Sequence, residues 1–540
     1  MALKFSESPA VTVREIDLTG VVPAVTSTTG AFVGDFNWGP VNTPVLVGTE
    51  TELASTFGTP LAGEAYAGDF LSVAHFLKYS SSAFVVRASK SGSATSTDGI
   101  FSAKYPGKLG DNIVVEVCDE TSWIAVERDS DVPVLDSDGS FIPVLDSDGS
   151  IIPWKYQGLF SSAPEGNEQH IVVLVNDEVV DTFAYVSIDP NEKLDNGSTN
   201  FVVDIVNSSS WVEISGIPSG YPTKKTLIGG EDGEDTANYV SAYGVFGDKD
   251  TIQIDFLIPP AKKGTYTNAS GQEVDIQLAV QNELVSIAES RKDCIAVVSP
   301  SYPVNAAKLT VNDMLTHVAS LAQNSSYLVV DGNWLKVYDK YNDKYENIPA
   351  ASSTAGIMAA GDVTAAPWFS PAGARRGQYL GVTDILVNPS KTDRDRLYKA
   401  GINPIVSFPG QGVMLYGDKT HMARPSAFDR INVRRLFLVL ERAISAAAEN
   451  VMFEFNDEFT RAEFVNIVEP FLREVQGRRG ITDFRVVCDD TNNTPEVIDR
   501  NEFIASCFIK PARSINYVTL NFVAVRTGVD FEEVVGTSGV

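Results

Sequence analysis

The stretch "IQIDFLIPP" (residues 252–260) opens the part of the chain whose pattern decides the fold. It is a short apolar run that predicts a strand, and two similar runs follow it, "CIAVVSP" (294–300) and "YLVVDG" (327–332). Residues 271–291 and 304–323, between these runs, are predicted helices. Strands that alternate with helices in this way are typical of an α/β unit, and we predict that fold here.

A second α/β pattern lies nearer the N-terminus. The segment "TETELASTFG" predicts a helix, because Thr49 and Glu52 have the spacing of a capping box and Gly58 is a typical helix end. The predicted strands are "GAFVGDF" (30–36), "VLVG" (45–48) and "AFVVRA" (83–88), and residues 65–79 form a second predicted helix.

After about residue 350 the chain returns to a longer α/β block. Its strongest predicted helix spans about 428–448, with a cap signal at Ser426 to Asp429. One face of this helix is apolar at i, i+3, i+4 and i+7 spacing. The residues on that face are Val433, Leu436, Phe437, Leu440 and Ile444.

Residues 105–255 have a different composition, with turns, acidic residues and strand-like segments that include "IVVLVNDEVVDTFAYVSI", "FVVDIV" and "WVEISGI". The formal net charge of the chain is -28, and residues 119–255 contain 26 acidic and 6 basic residues. Residues 371–540 are nearly neutral, with 21 basic and 22 acidic residues. This balance argues against a nucleic-acid-binding protein and indicates a solvated acidic region beside a region of mixed charge.

A decapeptide is repeated within the acidic region, as "PVLDSDGSFI" and then "PVLDSDGSII" (residues 133–152). Asp136, Asp138, Asp146 and Asp148 are possible calcium ligands. However, Gly139 directly follows Asp138, whereas an EF-hand has its glycine at position six of the loop. The Asp-Gly pairs between apolar residues favour a duplicated outer hairpin instead.

The residues that would support catalysis are sparse. The four histidines and four cysteines are scattered, and no P-loop, H-E-x-x-H or G-x-S-x-G motif is present. We therefore predict no catalytic residue, no cofactor and no metal site, and a multidomain enzyme is an unsupported alternative. No signal-peptide pattern or membrane-length apolar run is present, so we expect no membrane insertion.

Arginine and tyrosine are concentrated between residues 391 and 442. The arginines alternate with aspartates, which fits ion pairs within the chain or between subunits better than an active site. Arginine and aromatic residues are also enriched at protein interfaces. The arginines we assign to this region are Arg394, Arg396, Arg430, Arg434 and Arg435.

Both ends of the chain have strand-like alternation. "SPAVTVREID" (residues 8–17) places Val11 and Val13 on one face. The stretch "SINYVTLNFVAV" (514–525) alternates in the same way, with Tyr517, Thr519 and Asn521 on one face. Because terminal segments are usually disordered unless they are tied down, the partner of each strand is the main question that the sequence raises.

The chain resembles the tail sheath proteins of contractile-tailed bacteriophages. The resemblance starts at "SPAVTVREID", which departs from the family's SPG-x-Y-V-x-E opening at Ala10 and Thr12, and continues through "FVGDFNWGPVNTPVLVGTETELASTFGTP". It is most specific in "SPAGARRGQ", "DRDRLYKAGINPI", "LYGDKT", "AFDRINVRRLF" and "TNNTPEVIDRNEFIASCFIKPARSINYVTLNF". Outside the β-rich region at about 105–225, it covers the whole chain.

This resemblance implies a structural homo-oligomer, a helical sheath around a tail tube that contracts and drives the tube through the host envelope. The implied partners are the tail tube, baseplate and tail terminator proteins, and the implied location is the virion, after assembly in the host cytoplasm. A sheath of a phage-derived injection system or contractile bacteriocin is the alternative within this class, and a β-rich adhesin is a weaker one. Terminal arms would add strands to neighbouring subunits; the expected interface residues are Val11, Val13, Glu15, Tyr517, Thr519, Asn521 and Val523, with the five arginines named above.

We therefore predict an α/β multidomain chain. Its sheath core is formed by N- and C-terminal parts of the chain, with two inserted domains, one β-rich and one α/β, and extended terminal arms. The predicted division is an N-terminal arm (1–22), the first part of the core (23–95), an acidic outer β domain (96–228), an inserted α/β domain (229–348), the second part of the core (349–510) and a C-terminal strand and arm (511–540).

Overall fold

The structure is a computed structural model that describes residues 28–60, 67–88, 92–124, 128–129, 132–134, 137–138, 142–219, 223–231, 237–267, 272–302 and 308–516. The elements from residue 28 to 88 are β1 Gly30–Gly34, β2 Val45–Val47, α1 Glu50–Phe57, α2 Ala67–Leu77 and β3 Ala83–Arg87. Those from 95 to 228 are β4 Thr95–Ser96, β5 Phe101–Ala103, β6 Ile113–Cys118, β7 Arg128–Asp129, β8 Val132–Pro133, β9 Glu168–Val175, β10 Glu178–Ser187, α3 Val202–Val206, β11 Val212–Ile214 and β12 Lys224–Ile228.

The later elements continue the chain order. Those from 237 to 415 are α4 Ala237–Tyr243, β13 Phe256–Ile258, β14 Thr265–Thr267, β15 Glu273–Asp275, α5 Ile276–Arg291, β16 Ile295–Val298, α6 Val311–Leu321, β17 Leu328–Asp331, β18 Trp334–Asp339, β19 Lys344–Pro349, α7 Ala351–Thr364, β20 Val382–Ile385, α8 Lys391–Lys399, β21 Ile402–Asn403, β22 Ile405–Phe408 and β23 Gly412–Leu415. The last elements are α9 Ile431–Glu449, α10 Glu458–Gly477, β24 Ile481–Val487, α11 Pro495–Asp499 and β25 Ser506–Pro511.

A seven-stranded sheet lies at the centre of the molecule, in the order β2-β3-β1-β13-β16-β17-β21. All neighbouring pairs are parallel except β2 with β3. The chain leaves this sheet after β3 and returns to it at β13, directly beside β1. The apolar runs at 30–36, 252–260, 294–300 and 327–332 are therefore adjacent strands, and the predicted α/β class is confirmed.

Helices cover both faces of the central sheet, which explains why its strands are continuously apolar. Along β1, Phe32 packs with α2 and α7 on one face, whereas Ala31 and Val33 pack with α4 and α5 on the other. The predicted helix at 49–58 is confirmed as α1, where the Thr49 side chain accepts a hydrogen bond from the Glu52 backbone N–H.

A second seven-stranded sheet, entirely antiparallel, is formed by strands between residues 95 and 228 in the order β10-β9-β6-β12-β4-β5-β11. Its core is joined to the first sheet by Trp38, which follows β1 and stacks on Trp211 with ring centroids 5.0 Å apart. The Trp38 indole N–H also donates to the Ser210 carbonyl at 3.3 Å. The connection between the two sheets is thus packed as well as covalent.

The repeated decapeptide forms equivalent backbone bonds in its two copies. Ile142 N–H donates to the Val134 carbonyl, and Ile152 N–H donates to the Val144 carbonyl, each at 3.1 Å. In the second copy the Asp146 carboxylate accepts hydrogen bonds from the backbone of its own turn. This geometry confirms the predicted hairpin turn for the second copy.

Two local predictions are wrong. The segment "FVVDIV" is predicted to belong to the β-rich region as a strand-like segment, but it forms the short helix α3. Val202 and Val206, four residues apart, both fit into the core of the second sheet. The cap signal at Ser426 to Asp429 also fails, since α9 begins at Ile431 with Arg430 as its N-cap and no side-chain cap bond.

Candidate assembly interface

A two-stranded antiparallel sheet, β24 with β25, lies at the C-terminal end of the described chain. One face is packed, because Phe484 and Ile509 contact the apolar core formed with α9 and α10. The opposite face is open: Phe508 is 62% exposed and lies beside Arg485 on the neighbouring strand. Among the described residues, no further strand pairs with either outer edge. Unpaired edges of this kind are templates for pairing with another chain.

Exposed apolar residues are concentrated in the loop between α9 and α10 and in the first turn of α10. Met452, Phe453, Phe455 and Phe459 are all more than half exposed. Scattered exposed apolar residues are ordinary, but four large ones within eight residues form a patch that is typical of an interaction surface.

The last described residues, 512–516, are fixed to the body by hydrogen bonds: Ala512 N–H donates to the Gly480 carbonyl at 3.0 Å, and Ser514 and Asn516 bond to Asp418. Ser514 Oγ donates to one oxygen of this carboxylate at 2.7 Å, and Asn516 Nδ2 donates to the other at 3.0 Å. We call residues 512–516 the C-terminal root, because residues 517–540 follow directly from it.

Asp418 also has three partners from the body of the protein. Arg430 Nη1 donates to it at 2.9 Å, Ser370 Oγ at 3.0 Å and the Tyr398 hydroxyl at 3.3 Å. Burial alone would raise the pKa of Asp418, but the hydrogen bonds from Ser514 and Asn516, together with the Arg430 charge, hold that pKa below its ordinary value. The carboxylate is therefore ionised when the C-terminal root is docked.

The first described residues are fixed in a similar way. Thr29 N–H donates to the Asp255 carboxylate at 2.9 Å, and the backbone N–H of Asp255 donates to the Thr29 carbonyl at 2.9 Å. Arg442 Nη1 from α9 pairs with Asp255 at 2.7 Å. Residues 28–29, the N-terminal root, are thus tied to α9 through one buried carboxylate.

Both roots are therefore connected to one helix. Arg430 is the N-cap of α9 and Arg442 lies twelve residues further on, about 18 Å along the axis at 1.5 Å per residue. The same helix also buries apolar residues against both the central sheet and α10. Helix α9 thus supplies an arginine partner to the carboxylate that holds each root.

The structure places two of the predicted interface arginines inside the chain. Arg434 lies between the rings of Tyr327 and Phe428, 4.3 and 4.0 Å from their centroids. Arg435 forms a buried ion pair with Asp362. Both guanidinium groups therefore have partners within this chain. Interactions within the chain are one of the two arrangements that the Arg–Asp alternation left open. Contact of these arginines with other subunits stays a prediction.

Arg394 and Arg396 lie together on α8, apart from the α9 arginines. Arg394 lies over the Phe408 ring, 5.5 Å from its centroid. Arg396 is about half exposed and donates to Asn312 at 2.8 Å. Arg396 is consequently the arginine of the predicted set with the most surface available for another chain.

The remaining predicted interface residues, in the two terminal arms, lie outside the described residues, and the prediction for them stays open. They are Val11, Val13, Glu15, Tyr517, Thr519, Asn521 and Val523.

The sequence pattern does not single out the residues that hold the two roots. Asp418 lies within "LYGDKT", and Asp255 lies within the predicted strand "IQIDFLIPP". The signal that could have drawn attention to Asp255 is a carboxylate inside a run that is otherwise apolar, because such a group needs buried partners. Nothing local to Asp418 indicates partners at positions 514 and 516.

In the described part of the chain, no group of three or more His, Cys, Asp or Glu side chains could hold a metal ion. The helices described there are also too short or too polar to cross a membrane.

Three family models match this chain. They are "Phage tail sheath protein central domain" at residues 267–421, "Phage tail sheath C-terminal domain" at 423–524 and "Tail sheath protein Gp18 domain III N-terminal region" at 27–88. The two-stranded sheet and both ends of α9 fall within the C-terminal model. These matches define the class of the protein, a structural component of a phage tail.

Curated relatives extend the match to the whole chain. A tail sheath protein of Salmonella phage ViI is 30% identical over 657 residues, covering 99% of each chain. Tail sheath proteins of Vibrio phage KVP40 and Enterobacteria phage T4 are 38% and 34% identical over 81% of this chain, and the matches span 66% of their own length. This chain therefore belongs to the phage tail sheath protein family.

Solved structures share the fold at low sequence identity. A sheath tail protein from Desulfitobacterium hafniense is similar with a TM-score of 0.55 at 13% identity, over 95% of this chain and 100% of that one. The PVC sheath complex of an extracellular contractile injection system, in its contracted state, gives 0.54 at 12% identity, over 98% and 100%. The α/β architecture with several sheets is thus common to sheaths of different origin.

Proposed function

We propose that this chain is the structural subunit of a contractile phage tail sheath, which polymerises helically around the tail tube. Contraction then drives the tube through the host cell envelope during genome ejection. The observation that supports this proposal most directly is the sheet of β24 and β25, whose two outer edges have no strand partner among the described residues. The strand-like segments at both ends of the chain are the proposed partners, supplied by neighbouring copies.

Strand addition explains how such a lattice holds together. An extended arm that joins an open sheet edge gains backbone hydrogen bonds without a large flat interface. At about 1 kcal/mol net per bond, one arm contributes only a few kcal/mol, but repeated links through a lattice act multivalently. Arms also keep subunits connected while their bodies rotate, as contraction requires.

We propose that residues 23–95 and 349–510 form the sheath core, with 96–228 as an inserted acidic β-rich domain and 229–348 as an inserted α/β domain. In support, β5, β6 and β9 to β12 contribute to a separate antiparallel sheet, whereas β13, β16 and β17 join β1 and β3 in the central sheet. We place this acidic domain on the outside of the sheath, where its charge keeps particles apart, and treat 1–22 and 511–540 as exchanged arms.

The partners follow from the same proposal. The chain forms a homo-oligomeric sheath, contacts the tail tube protein, and meets baseplate and tail terminator proteins at the two ends of the sheath. Its place is the virion, after assembly in the host cytoplasm. Contraction exchanges one packing of subunits for another, so the driving force lies in contacts between subunits.

A second candidate is the sheath of a phage-derived contractile injection system or bacteriocin, which is favoured by the fold shared with the PVC sheath complex. The identified relatives at 30–38% identity come from phages, so the phage tail is the first choice. Genes for a capsid and a DNA-packaging motor beside this gene would support the phage tail, and their absence from the locus would support the second candidate.

Negative-stain microscopy of the purified chain tests the proposed function. The wild-type chain should form hollow cylinders or short striated tubes. Val11→Pro with Val13→Pro should abolish them, because proline cannot donate a hydrogen bond to a neighbouring strand. Val11→Thr with Val13→Thr is the matched control, since it retains both backbone donors and should still form tubes. Normal tubes from the double proline variant would contradict strand exchange by the N-terminal arm.

A further inference from the structure

We propose that Asp418 is a positioning residue that sets the direction in which the C-terminal arm leaves the body. This inference rests on the proposed exchange of arms between subunits. Its basis is the docked C-terminal root, in which Ser514 and Asn516 each donate one hydrogen bond to this carboxylate, at 2.7 and 3.0 Å. Asp418 is only 2% exposed. Ser514 and Asn516, which directly precede the arm, are therefore attached to a buried carboxylate of the body.

The root can leave Asp418 without leaving an unpaired charge behind. Arg430, Ser370 and Tyr398 belong to the body and stay bonded to the carboxylate when the root moves away. Removing the only partner of a buried charge is strongly destabilising, and the retained ion pair with Arg430 avoids that cost. The contact between Asp418 and the root is therefore suited to reversible docking.

Space for such a movement is present beside the root. A cavity of about 330 Å³ is lined on the body side by Arg430 and Val433, and on the root side by Ile515 and Asn516. Ile515 is 83% exposed, so it contributes little apolar packing to the docked root. The polar bonds to Asp418, together with a bond from Asn516 Nδ2 to the Tyr398 hydroxyl at 3.3 Å, are thus the main attachment of residues 514–516.

Docking and release of the root serve two different stages of the proposed function, assembly and contraction. A docked root gives the arm one starting direction, and this preorganisation lowers the ordering cost of reaching the edge of a neighbouring sheet. A released root lets the body rotate while the arm remains paired. The hydrogen-bond donors, Ser514 and Asn516, move with the root, whereas the acceptor, Asp418, stays in the body.

Limited trypsin digestion of the full-length chain tests this inference. Trypsin cleaves after Arg513, within the root, and also after Arg526, within the arm, which serves as an internal reference. Ser514→Ala with Asn516→Ala should accelerate cleavage after Arg513, relative to Arg526, about tenfold or more, because two hydrogen bonds to a charged group are lost. Asp418→Asn should act in the same direction.

Two controls separate positioning from general stability. Ser514→Thr keeps the hydroxyl donor and should be cleaved at the wild-type rate. The double alanine variant leaves the ion pair of Asp418 with Arg430 intact, so its melting temperature should stay close to that of the wild type even as cleavage accelerates. An unchanged cleavage ratio in the double alanine variant would overturn the inference.

The outcome is distinguishable from failure of the proposed function. If the proline variants of the N-terminal arm form normal tubes while the double alanine variant is cleaved faster, the exchange of arms is wrong but the docking on Asp418 is established. If the proline variants fail to form tubes and the cleavage ratio is unchanged, arm exchange stands and Asp418 is not a positioning residue.

Discussion

At the scale of single residues, the buried ion pair of Arg435 with Asp362 is central to the stability of the monomer. Arg435 is 5% exposed, and its Nη1 also donates to the Met358 carbonyl at 3.1 Å. Arg435→Ala would leave the Asp362 charge buried with its ion-pair partner removed, and we expect a loss of about 3–5 kcal/mol in the free energy of unfolding. Urea denaturation of the chain, followed by circular dichroism, measures this loss.

The matched control for this prediction is an exposed pair on α10. Arg473 is 70% exposed and donates to Glu469 at 3.1 Å, so Arg473→Ala should change the free energy of unfolding by only about 0.3–0.5 kcal/mol. Equal effects of the two substitutions would mean that the Arg435 pair is solvated. A large loss at Arg435 would also mean that any assembly defect of this variant includes a contribution from lower subunit stability.

Asp331, in the centre of the protein, predicts a dependence of stability on pH. It accepts hydrogen bonds from Ser299 Oγ at 2.7 Å and Thr354 Oγ1 at 3.0 Å. Burial outweighs these bonds and raises the pKa of Asp331 from 3.8 to about 7. The folded chain therefore holds a proton that the unfolded chain releases, and the stability due to this group is greatest below pH 4 and is lost as the pH rises to about 7.

Asp331→Asn should remove this part of the pH dependence. Relative to the wild type, the variant should gain on the order of 2–4 kcal/mol between pH 4 and pH 8, because its amide does not ionise. Urea denaturation at the two pH values measures the difference. A constant difference between variant and wild type across this range would show that Asp331 titrates alike in the folded and unfolded chain.

At the scale of elements, two glycines of helix α7 predict opposite effects of the same substitution. A Cβ added at Gly356 would lie 2.5 Å from the Tyr79 ring, where α7 packs against α2. A Cβ added at Gly361 would have no neighbour within 4 Å. Gly356→Ala should therefore destabilise the chain by about 1–3 kcal/mol through overpacking.

Gly361→Ala provides the internal comparison. It should stabilise the chain by about 0.5–1 kcal/mol, because alanine restricts the unfolded backbone and favours the helix. Thermal unfolding of both variants checks the two signs. The same sign for both would show that packing against Tyr79 does not limit the approach of α2 and α7.

Local sequence determines some elements of this fold more strongly than others. The strands of the central sheet were predicted because helices cover both faces, which makes each strand a continuous apolar run such as "AVV" in β16. Helix α3 was missed because five residues of "VVDIV" have no distinctive period, and tertiary packing decides their conformation.

The candidate interface was predictable only in part, for a related reason. The alternation at the chain ends indicates strands, but the bonds of Asp418 to residues 514 and 516 join positions almost one hundred residues apart. No local pattern encodes a contact at that separation. Similarly, the arginine-rich segment of α9 predicts ion pairs. The burial of the Arg434 and Arg435 side chains, however, depends on how α9 packs in the fold.

At the scale of the whole molecule, the side chain of Trp38 packs the acidic sheet against the end of a strand of the central sheet. Trp38 follows β1 of the central sheet, yet it is buried in the core of the second sheet, stacked on Trp211 and edge-on to Tyr105 at 5.3 Å. In the proposed sheath this packing makes the outer domain turn with the body. During contraction the acidic domain would thus move together with the body of its subunit, instead of moving independently on a flexible linker.

Trp38→Ala should therefore uncouple the two sheets. Truncating a buried tryptophan costs about 3–5 kcal/mol, and here the loss falls on the packing that joins the sheets. Differential scanning calorimetry should show the acidic sheet melting at a lower temperature, as a transition separate from that of the central sheet. Trp38→Phe retains an aromatic ring against Trp211 but loses the N–H bond to Ser210, so a smaller shift is expected. If Trp38→Ala lowers a single transition without splitting it, the two sheets unfold as one unit and are coupled by more than this residue.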